Sequence, residues 1–211
     1  VGYDNTGREA AAQANRRRIL AVAHDAFLDN GYAGTTLRAV AQAAGVSQET
    51  LYKSFGGKAG LLKAVYDVTI AGDDSPVPVA QRQHGNAVRA AGDTAAAAAA
   101  WARMTVAIGA RIKPLLGALM SAREDAAIRE LIAVTEAERL AGARLVAEFW
   151  HNLGWLRPHA DVEEHAITLW TLNSPEVRFL LDRQGYDDDR YTTWLEASVR
   201  ALVLTAPGDD D

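Results

Sequence analysis

The sequence predicts an all-α protein, and three observations carry that reading. Apolar residues recur at spacings of three and four, as on one face of a helix, and no stretch alternates at period two over a useful length, so no sheet is expected. Ser, Thr or Asp stands ahead of several of these runs and Gly behind them. Those are the places where a side-chain oxygen satisfies free helix N–H groups and where a residue without Cβ takes the left-handed cap conformation. Alanine fills the runs while aromatic residues make up only 7% of the chain, and Ala loses no side-chain entropy on entering a helix.

Taken in order, residues 1–8 read as frayed, and a first helix runs from Glu9 to Asn30 with Ile19, Val22, Ala23, Ala26 and Phe27 on one face. Asn30-Gly31 closes it. Thr35-Thr36 offers cap oxygens to a short helix from Leu37 to about Ala44, which Gly45 breaks. Ser47 caps the next, Gln48 to Phe55, with Glu49 at the positive end of its dipole. Gly56-Gly57 breaks again, and Lys58 to Ala71 forms a fourth helix with Leu61, Leu62, Val65 and Val68 facing inward.

Residues 72–80 hold two prolines and two acids and read as a loop; 81–92 read either as a short helix or as continued loop. Asp93-Thr94 caps a long Ala-rich helix towards Lys113, which Pro114 ends or kinks. A segment from Leu115 to about Arg123 follows, then a long helix from about Asp125 to Leu153, closed by Gly154. Asp161 starts another, to about Asn173. Ser174-Pro175 is a cap followed by Pro at the first helical position, with Gly185 as the stop, and Asp188 to about Thr205 is the last helix.

The 211 residues suffice for one well-filled core or for a small module with a larger one. Hydrophobic residues at 49% and charged residues at 23% are a globular balance. There are no cysteines, which excludes disulfides, a thiolate nucleophile and Cys-ligated zinc and is compatible with a reducing cytoplasm. No apolar run reaches the ~18 residues of a membrane span, and the N-terminal segment has no signal-peptide core. The expectation is a soluble cytoplasmic protein without membrane contact. The net charge of −5 is unevenly spread: residues 1–66 carry +3 and residues 67–211 carry −8. A basic head on an acidic body suits DNA at one end only, because phosphate attraction is local under salt screening.

The informative stretch is Thr36-Leu-Arg-Ala-Val-Ala-Gln-Ala-Ala-Gly-Val-Ser-Gln-Glu-Thr-Leu-Tyr-Lys-Ser-Phe55. Two short helices meet at Gly45. Ala41, four residues earlier, keeps them close, and Val40, Ala44, Val46 and Leu51 supply the buried seam. This is a helix-turn-helix, whose second helix can lie in the major groove. The bland reading of the same pattern is a structural helix pair in a bundle.

Residues 35–62, together with the upstream Ala-Phe-Leu-Asp-Asn-Gly-Tyr-Ala-Gly-Thr-Thr, resemble the DNA-binding signature of the tetracycline-repressor (TetR) family. The close match covers about residues 15–66; the rest agrees in helix count, length and Ala-rich character. The stretch Leu169-Trp-Thr-Leu-Asn-Ser-Pro-Glu-Val, followed by Gly-Tyr and a Tyr-x-x-Trp-Leu helix, is similar to the C-terminal segment of some members. The resemblance implies an N-terminal helix-turn-helix DNA-binding head (1–66) on a larger antiparallel helical body for ligand binding and dimerisation (67–211).

By that resemblance Thr36 contacts backbone phosphate, and Ser47, Gln48, Glu49 and Thr50 lie at the start of the recognition helix. Tyr52 places its hydroxyl on phosphate, Lys53 faces the DNA, and Lys58 binds phosphate at the positive end of the fourth helix. The physical chemistry agrees: Gln bonds bidentately to adenine and Glu accepts from cytosine, while phosphate contacts position the protein. Two features depart from the family pattern. Ser54 stands where His or Tyr is common, so one phosphate contact is missing. Gly57 and Gly60 replace better cap and helix formers around Lys58, which implies a looser connector. Arg16-Arg17-Arg18 read either as a solvated helix face or as phosphate contacts.

In the body, Trp101, Met104, Ile108, Phe149, Trp150 and Trp170 read either as plain core or, as the resemblance implies, as the lining of a small-molecule pocket with an apolar effector. Arg103 or Arg111 meets either solvent or an anionic ligand, and His151 with Asn152 forms either pocket or helix end. His159 and His165 flank Asp161, Glu163 and Glu164, a charged helix start rather than a metal site. No Gly-rich phosphate loop, nucleophile elbow or paired catalytic constellation is present, so no enzyme, cofactor or metal is expected. Trp194, Leu195, Val199, Leu202 and Val203 form a stripe that is either core or, by the resemblance, part of a four-helix interface with a second subunit. Such a homodimer presents two recognition helices one DNA turn apart, ~34–36 Å, or a multiple, and reads a near-palindromic operator.

The leading expectation is a repressor released from its operator by a small molecule. The alternative is a helical ligand- or partner-binding protein without sequence-specific DNA binding.

Overall fold

The computed structural model describes residues 5–72 and 83–205. Within them the chain forms α1 (Asn5–Gly34), α2 (Leu37–Ala44), α3 (Gln48–Phe55), α4 (Lys58–Ala71), α5 (Gln83–Arg89), α6 (Thr94–Ser121), α7 (Ala126–Asn152), α8 (Val162–Leu172), α9 (Pro175–Asp182) and α10 (Asp188–Leu202). Among the described residues there is no strand. An isolated antiparallel bridge joins Leu156 to Leu204, flanked by hydrogen bonds from Arg157 N to Val203 O (2.9 Å) and from Thr205 N to Trp155 O (2.9 Å).

Most helix ends fall where cap chemistry places them. Thr36, Ser47, Asp161, Ser174 and Asp187 all have extended backbone, and their side chains accept from an N–H in the first turn. Asp161 and Glu164 form a reciprocal capping box. Asp93 and Asp125 accept from Ala96 N (2.7 Å) and Ala127 N (2.9 Å) at the heads of α6 and α7.

Two expectations are corrected and two that stood open are narrowed. α1 begins at Asn5 rather than Glu9, so residues 5–8 of the segment read as frayed are helical. The ambiguous stretch 81–92 contains α5, and α10 stops at Leu202, where the chain turns into the bridge with Leu156. Pro114 does not end its helix: α6 continues to Ser121. Proline removes one hydrogen bond, that to the Ala110 carbonyl, at a cost of about 3 kcal/mol. Leu115, Leu116, Ala118 and Leu119 beyond it are all buried, and burial is worth roughly 1.5–3 kcal/mol for each leucine. The loop expected at 72–80 lies, beyond Gly72, outside the described residues.

The helices gather into two compact units, Val1–Ser75 with Arg111–Ala133, and Pro76–Ala110 with Val134–Asp211. In the first, α1 packs on α2 and α4, and α3 on α2 and α4. Ile19, Leu20, Ala23 and Phe27 of α1 meet Leu37, Val40, Ala41, Ala44, Leu51, Leu61, Leu62 and Val65 as its buried residues. The end of α1 is broken at Gly31 (φ 65°, ψ −179°). The buried Thr35 hydroxyl lies 2.8 Å from both Ala26 O and Gly31 O, and its single proton ties the chain after the break back to the helix.

The second unit has its own core of small and aromatic residues: Ala97, Ala98, Ala102, Ala143, Ala147 and Ala166 surround Trp101 and Trp150. α8 and α10 pack together. Leu195, Val199 and Val203, part of the stripe read as core or interface, are fully buried in this core. Trp194 packs against it, and only Leu202 faces outward.

Candidate nucleic-acid interface

The turn between α2 and α3 is set by three local devices. Thr36 Oγ1 accepts from Ala39 N at 3.2 Å and fixes where α2 starts. Gly45 ends it at φ 65°, ψ 37°, with its N–H on the carbonyls of Ala41 and Gln42, and Val46 N follows onto Ala41 O at 3.0 Å. Ser47 Oγ then accepts from Thr50 N at 3.1 Å and starts α3.

α3 is anchored by a single buried residue, Leu51, at 0% exposure. Gln48, Glu49, Tyr52 and Lys53 are exposed around it, with Ser47 before them and Thr50 half-buried. A helix that buries one residue in eight and exposes five leaves a broad polar face to the outside. Thr36 is exposed near the head of α2. The structure thus brings Thr36, Ser47, Gln48, Glu49, Thr50, Tyr52 and Lys53 onto one compact helix pair. Lys53 Nζ lies 2.7 Å from Glu49 Oε1 across one turn of α3. Ser54, in the position where an aromatic or imidazole contact is missing, is also exposed.

Lys58 is placed differently from the others. It is half-buried, and its ammonium donates to Tyr32 O at 2.8 Å and lies 4.1 Å from the centre of the Tyr32 ring. Burial, and then the nearby Asp125 carboxylate, raise the Tyr32 phenol above its ordinary value.

The glycines around Lys58 have steric roles. Gly57 sits at φ 138°, which side-chain-bearing residues rarely adopt. A Cβ on Gly60 would fall 1.8 Å from the Phe55 carbonyl oxygen. Gly60 thus lets the first turn of α4 approach the last turn of α3. Arg16, Arg17 and Arg18 are exposed on α1. Arg16 lies 5.2 Å over the Phe55 ring at the end of α3, and Arg18 donates to Asn15 at 2.6 Å.

The expected pocket residues of the body divide into three groups. Trp101 and Trp150 are fully buried core, while Met104, Phe149 and Trp170 are partly buried against the same cluster. Ile108 is half-buried and stands apart from it. The indole N–H groups of Trp150 and Trp170 are buried without a hydrogen-bond partner, each at a cost of about 1–3 kcal/mol. Arg103, His151 and Asn152 are exposed. Arg111 donates to Ile70 O at 2.6 Å.

Two arginines escaped the sequence reading. Arg139 lies 4.7 Å over the Trp170 ring and donates to Trp170 O, Asn173 Oδ1 and Glu136 Oε2. Arg178 meets Asp182 (2.7 Å) and Asp188 (2.8 Å) and stacks 4.6 Å over Tyr191. The i,i+4 spacing of Arg178 and Asp182 and the i,i+3 spacing of Arg139 and Glu136 were the available signals; Trp170, Asn173, Asp188 and Tyr191 lie too far along the chain.

The acids near His159 and His165 have structural partners. Asp161 and Glu164 cap α8, and Glu163 pairs with Arg144 at 2.6 Å, a hydrogen bond that holds its carboxyl below the ordinary value. His165 Nε2 lies 2.9 Å from Arg157 O.

An exposed second helix, held by a glycine turn on a small all-α unit, defines the class: a helix-turn-helix DNA-binding regulator. Residues 19–65 match the model of the bacterial regulatory proteins of the tetR family. The fold extends that likeness along the chain. A TetR transcriptional regulator from Chloroflexus aurantiacus aligns with a TM-score of 0.63 at 20% identity over 93% of this chain and 100% of its own. The Bacillus subtilis regulator FadR in complex with stearoyl-CoA aligns with a TM-score of 0.62 at 15% identity, over 87% and 98%. A Saccharomonospora viridis protein in complex with choline aligns with a TM-score of 0.61 at 15% identity, over 92% and 100%. No curated protein matches the chain. Residues 19–65 are thus similar to the tetR-family DNA-binding domain, and the chain as a whole shares the fold of these solved regulators. Among the described residues, no helix is long and apolar enough to cross a membrane.

Proposed function

We propose that the chain is a cytoplasmic, ligand-responsive repressor that holds a near-palindromic operator as a homodimer and releases it when a small molecule binds. Residues 1–66 form its DNA-binding domain and residues 67–211 its ligand-binding and dimerisation domain. The observation that carries the reading is α3, with Leu51 alone buried and Gln48, Glu49, Tyr52 and Lys53 exposed. Thr36, Tyr52 and Lys58 position the head on phosphate, Gln48 with its neighbours Ser47, Glu49 and Thr50 at the start of α3 reaches base edges, and Lys53 faces the DNA.

Similar folds hold ligands as unlike as choline and stearoyl-CoA. That supports a small-molecule effector for this body, and the residues Trp101, Met104, Ile108, Phe149, Trp150 and Trp170 favour an apolar one. The effector binds better to a state whose two heads no longer fit the operator, and that difference in affinity is the switch.

Glu49 favours a second reading, a helical binding protein that does not discriminate among DNA sequences, because a carboxylate on the presented face repels phosphate. Selection of bound duplexes from a random pool by the purified chain separates the two. Enrichment of a palindrome, lost in a Tyr52→Ala/Lys58→Ala variant that still folds, supports the repressor; no enrichment at low salt supports the second reading.

A further inference from the structure

We propose that Glu49 and Lys53 act as one unit that selects cytosine at a single position of the bound DNA, with Lys53 serving as a positioning residue for the Glu49 carboxylate rather than as a phosphate ligand. This inference rests on the DNA-binding reading above.

The pair spans one turn of α3, with Lys53 Nζ 2.7 Å from Glu49 Oε1. Its side chains are 76% and 73% exposed. An exposed i,i+4 pair stabilises a helix by only about 0.3–0.5 kcal/mol, so the fold has little need of it. Its place is more telling than its strength. Glu49 is in the first turn of α3, the part of a recognition helix that reaches base edges, and it lies on the side away from the buried Leu51.

A bare carboxylate carried between phosphates meets repulsion from every side. Lys53 offsets that charge and holds one oxygen. The other oxygen, Oε2, has no partner among the described residues and accepts from whatever the groove presents. Guanine offers two acceptors there and thymine one acceptor and a methyl group, so both reject it. Adenine offers an amine beside the N7 acceptor. Cytosine offers an N4 amine without a neighbouring acceptor and is the base that fits. Lys53 thus turns a residue that opposes DNA binding into one that reads it.

The test uses the full chain, an enriched duplex and its three single-base variants at the position opposite Glu49. Wild type, Glu49→Gln, Lys53→Met and the double variant are compared at fixed salt, with helicity checked by circular dichroism. Wild type is expected to prefer cytosine by about five- to tenfold over the other bases. Glu49→Gln moves the preference to adenine, which an amide pairs bidentately. Lys53→Met erases the cytosine preference, yet adds little loss once Glu49 is already Gln.

Two results would overturn the proposal while leaving DNA binding intact. One is a Lys53→Met loss that is equal on all four duplexes and in both backgrounds, with the salt slope falling by about 0.9, which is phosphate-ligand behaviour. The other is Glu49→Gln leaving the base preference unchanged at every position. If wild type enriches no duplex at all, both the DNA-binding reading and this inference fall.

Discussion

The Lys58 ammonium bridges two helix ends: it sits at the head of α4 and donates to the Tyr32 carbonyl just past the glycine break of α1, 2.8 Å away, with the Tyr32 ring 4.1 Å beneath it. The carbonyl end of a helix carries partial negative charge, so a cation is favoured there. The half-buried setting strengthens the bond.

Lys58 is therefore expected to hold the DNA-binding unit together as well as to meet phosphate. Lys58→Met should lower the urea-unfolding free energy by about 1.5–3 kcal/mol, the worth of a hydrogen bond to a charged group. A pure phosphate ligand would leave unfolding unchanged and lower only DNA affinity. Equilibrium unfolding of the two proteins without DNA decides between them.

Gly60 gives a sharper contrast. Its missing Cβ leaves room for the Phe55 carbonyl, which a methyl group would meet at 1.8 Å. Gly60→Ala must move either the last turn of α3 or the first turn of α4. It should destabilise the protein by more than the about 1–3 kcal/mol of ordinary overpacking, because the obstructing atom is backbone. Gly142, exposed within α7 and with nothing within 4 Å of its added Cβ, is the control. Gly142→Ala should stabilise by about 0.5–1 kcal/mol through helix propensity. Melting curves of the two variants should shift in opposite directions.

These two residues mark where sequence reading stops. α2, α3 and α4 were placed to the residue because their caps are local: Thr36 and Ser47 bond N–H groups three positions on, and Gly45 and Gly56 take positive φ. The outward residues of α3 came from the family resemblance, while spacing supplied its buried seam at Leu51. The steric role of Gly60 was out of reach because helix propensity says nothing about a carbonyl five residues back that approaches only once α3 and α4 fold together. Pro114 left open whether its helix ends, because the burial of the leucines beyond it, which offsets the lost hydrogen bond, is tertiary. Lys58 with Tyr32 and Arg139 with Trp170 join residues 26 and 31 positions apart, with no periodic pattern to announce them.

Tyr191 makes stability sensitive to alkaline pH. Its hydroxyl donates to Leu172 O at 3.1 Å, and burial pushes its phenol up from 10.0 to about 12, with the nearby Arg178 opposing that rise. The unfolded chain ionises first. The stabilisation is thus whole below pH 10 and is lost as pH rises from 10 towards 12, reaching about 3 kcal/mol at roughly 1.4 kcal/mol per unit. Tyr191→Phe loses the hydrogen bond at all pH values but has no phenol to ionise. Its unfolding free energy should fall less steeply than that of wild type between pH 10 and 12, and parallel curves would rule Tyr191 out as the source.

The last prediction concerns the second subunit. Leu195, Val199 and Val203 are consumed by the core of their own chain, so they cannot also form an interface. What α8 and α10 leave outward is Ile167, 45% exposed, and Leu202, 48% exposed. Scattered exposed apolar residues need no explanation singly, but these two stand on helices that pack against each other. If α8 and α10 pair across a two-fold axis, each face meets its own copy, and a charge placed there meets a like charge. Ile167→Glu with Leu202→Glu should therefore yield a folded monomer, because neither side chain supports the core. Its affinity for an operator half-site should be unchanged while that for the full palindrome falls to the half-site value. Sedimentation equilibrium with parallel DNA titrations tests both parts, and a variant that remains dimeric would place the interface on another face of the chain.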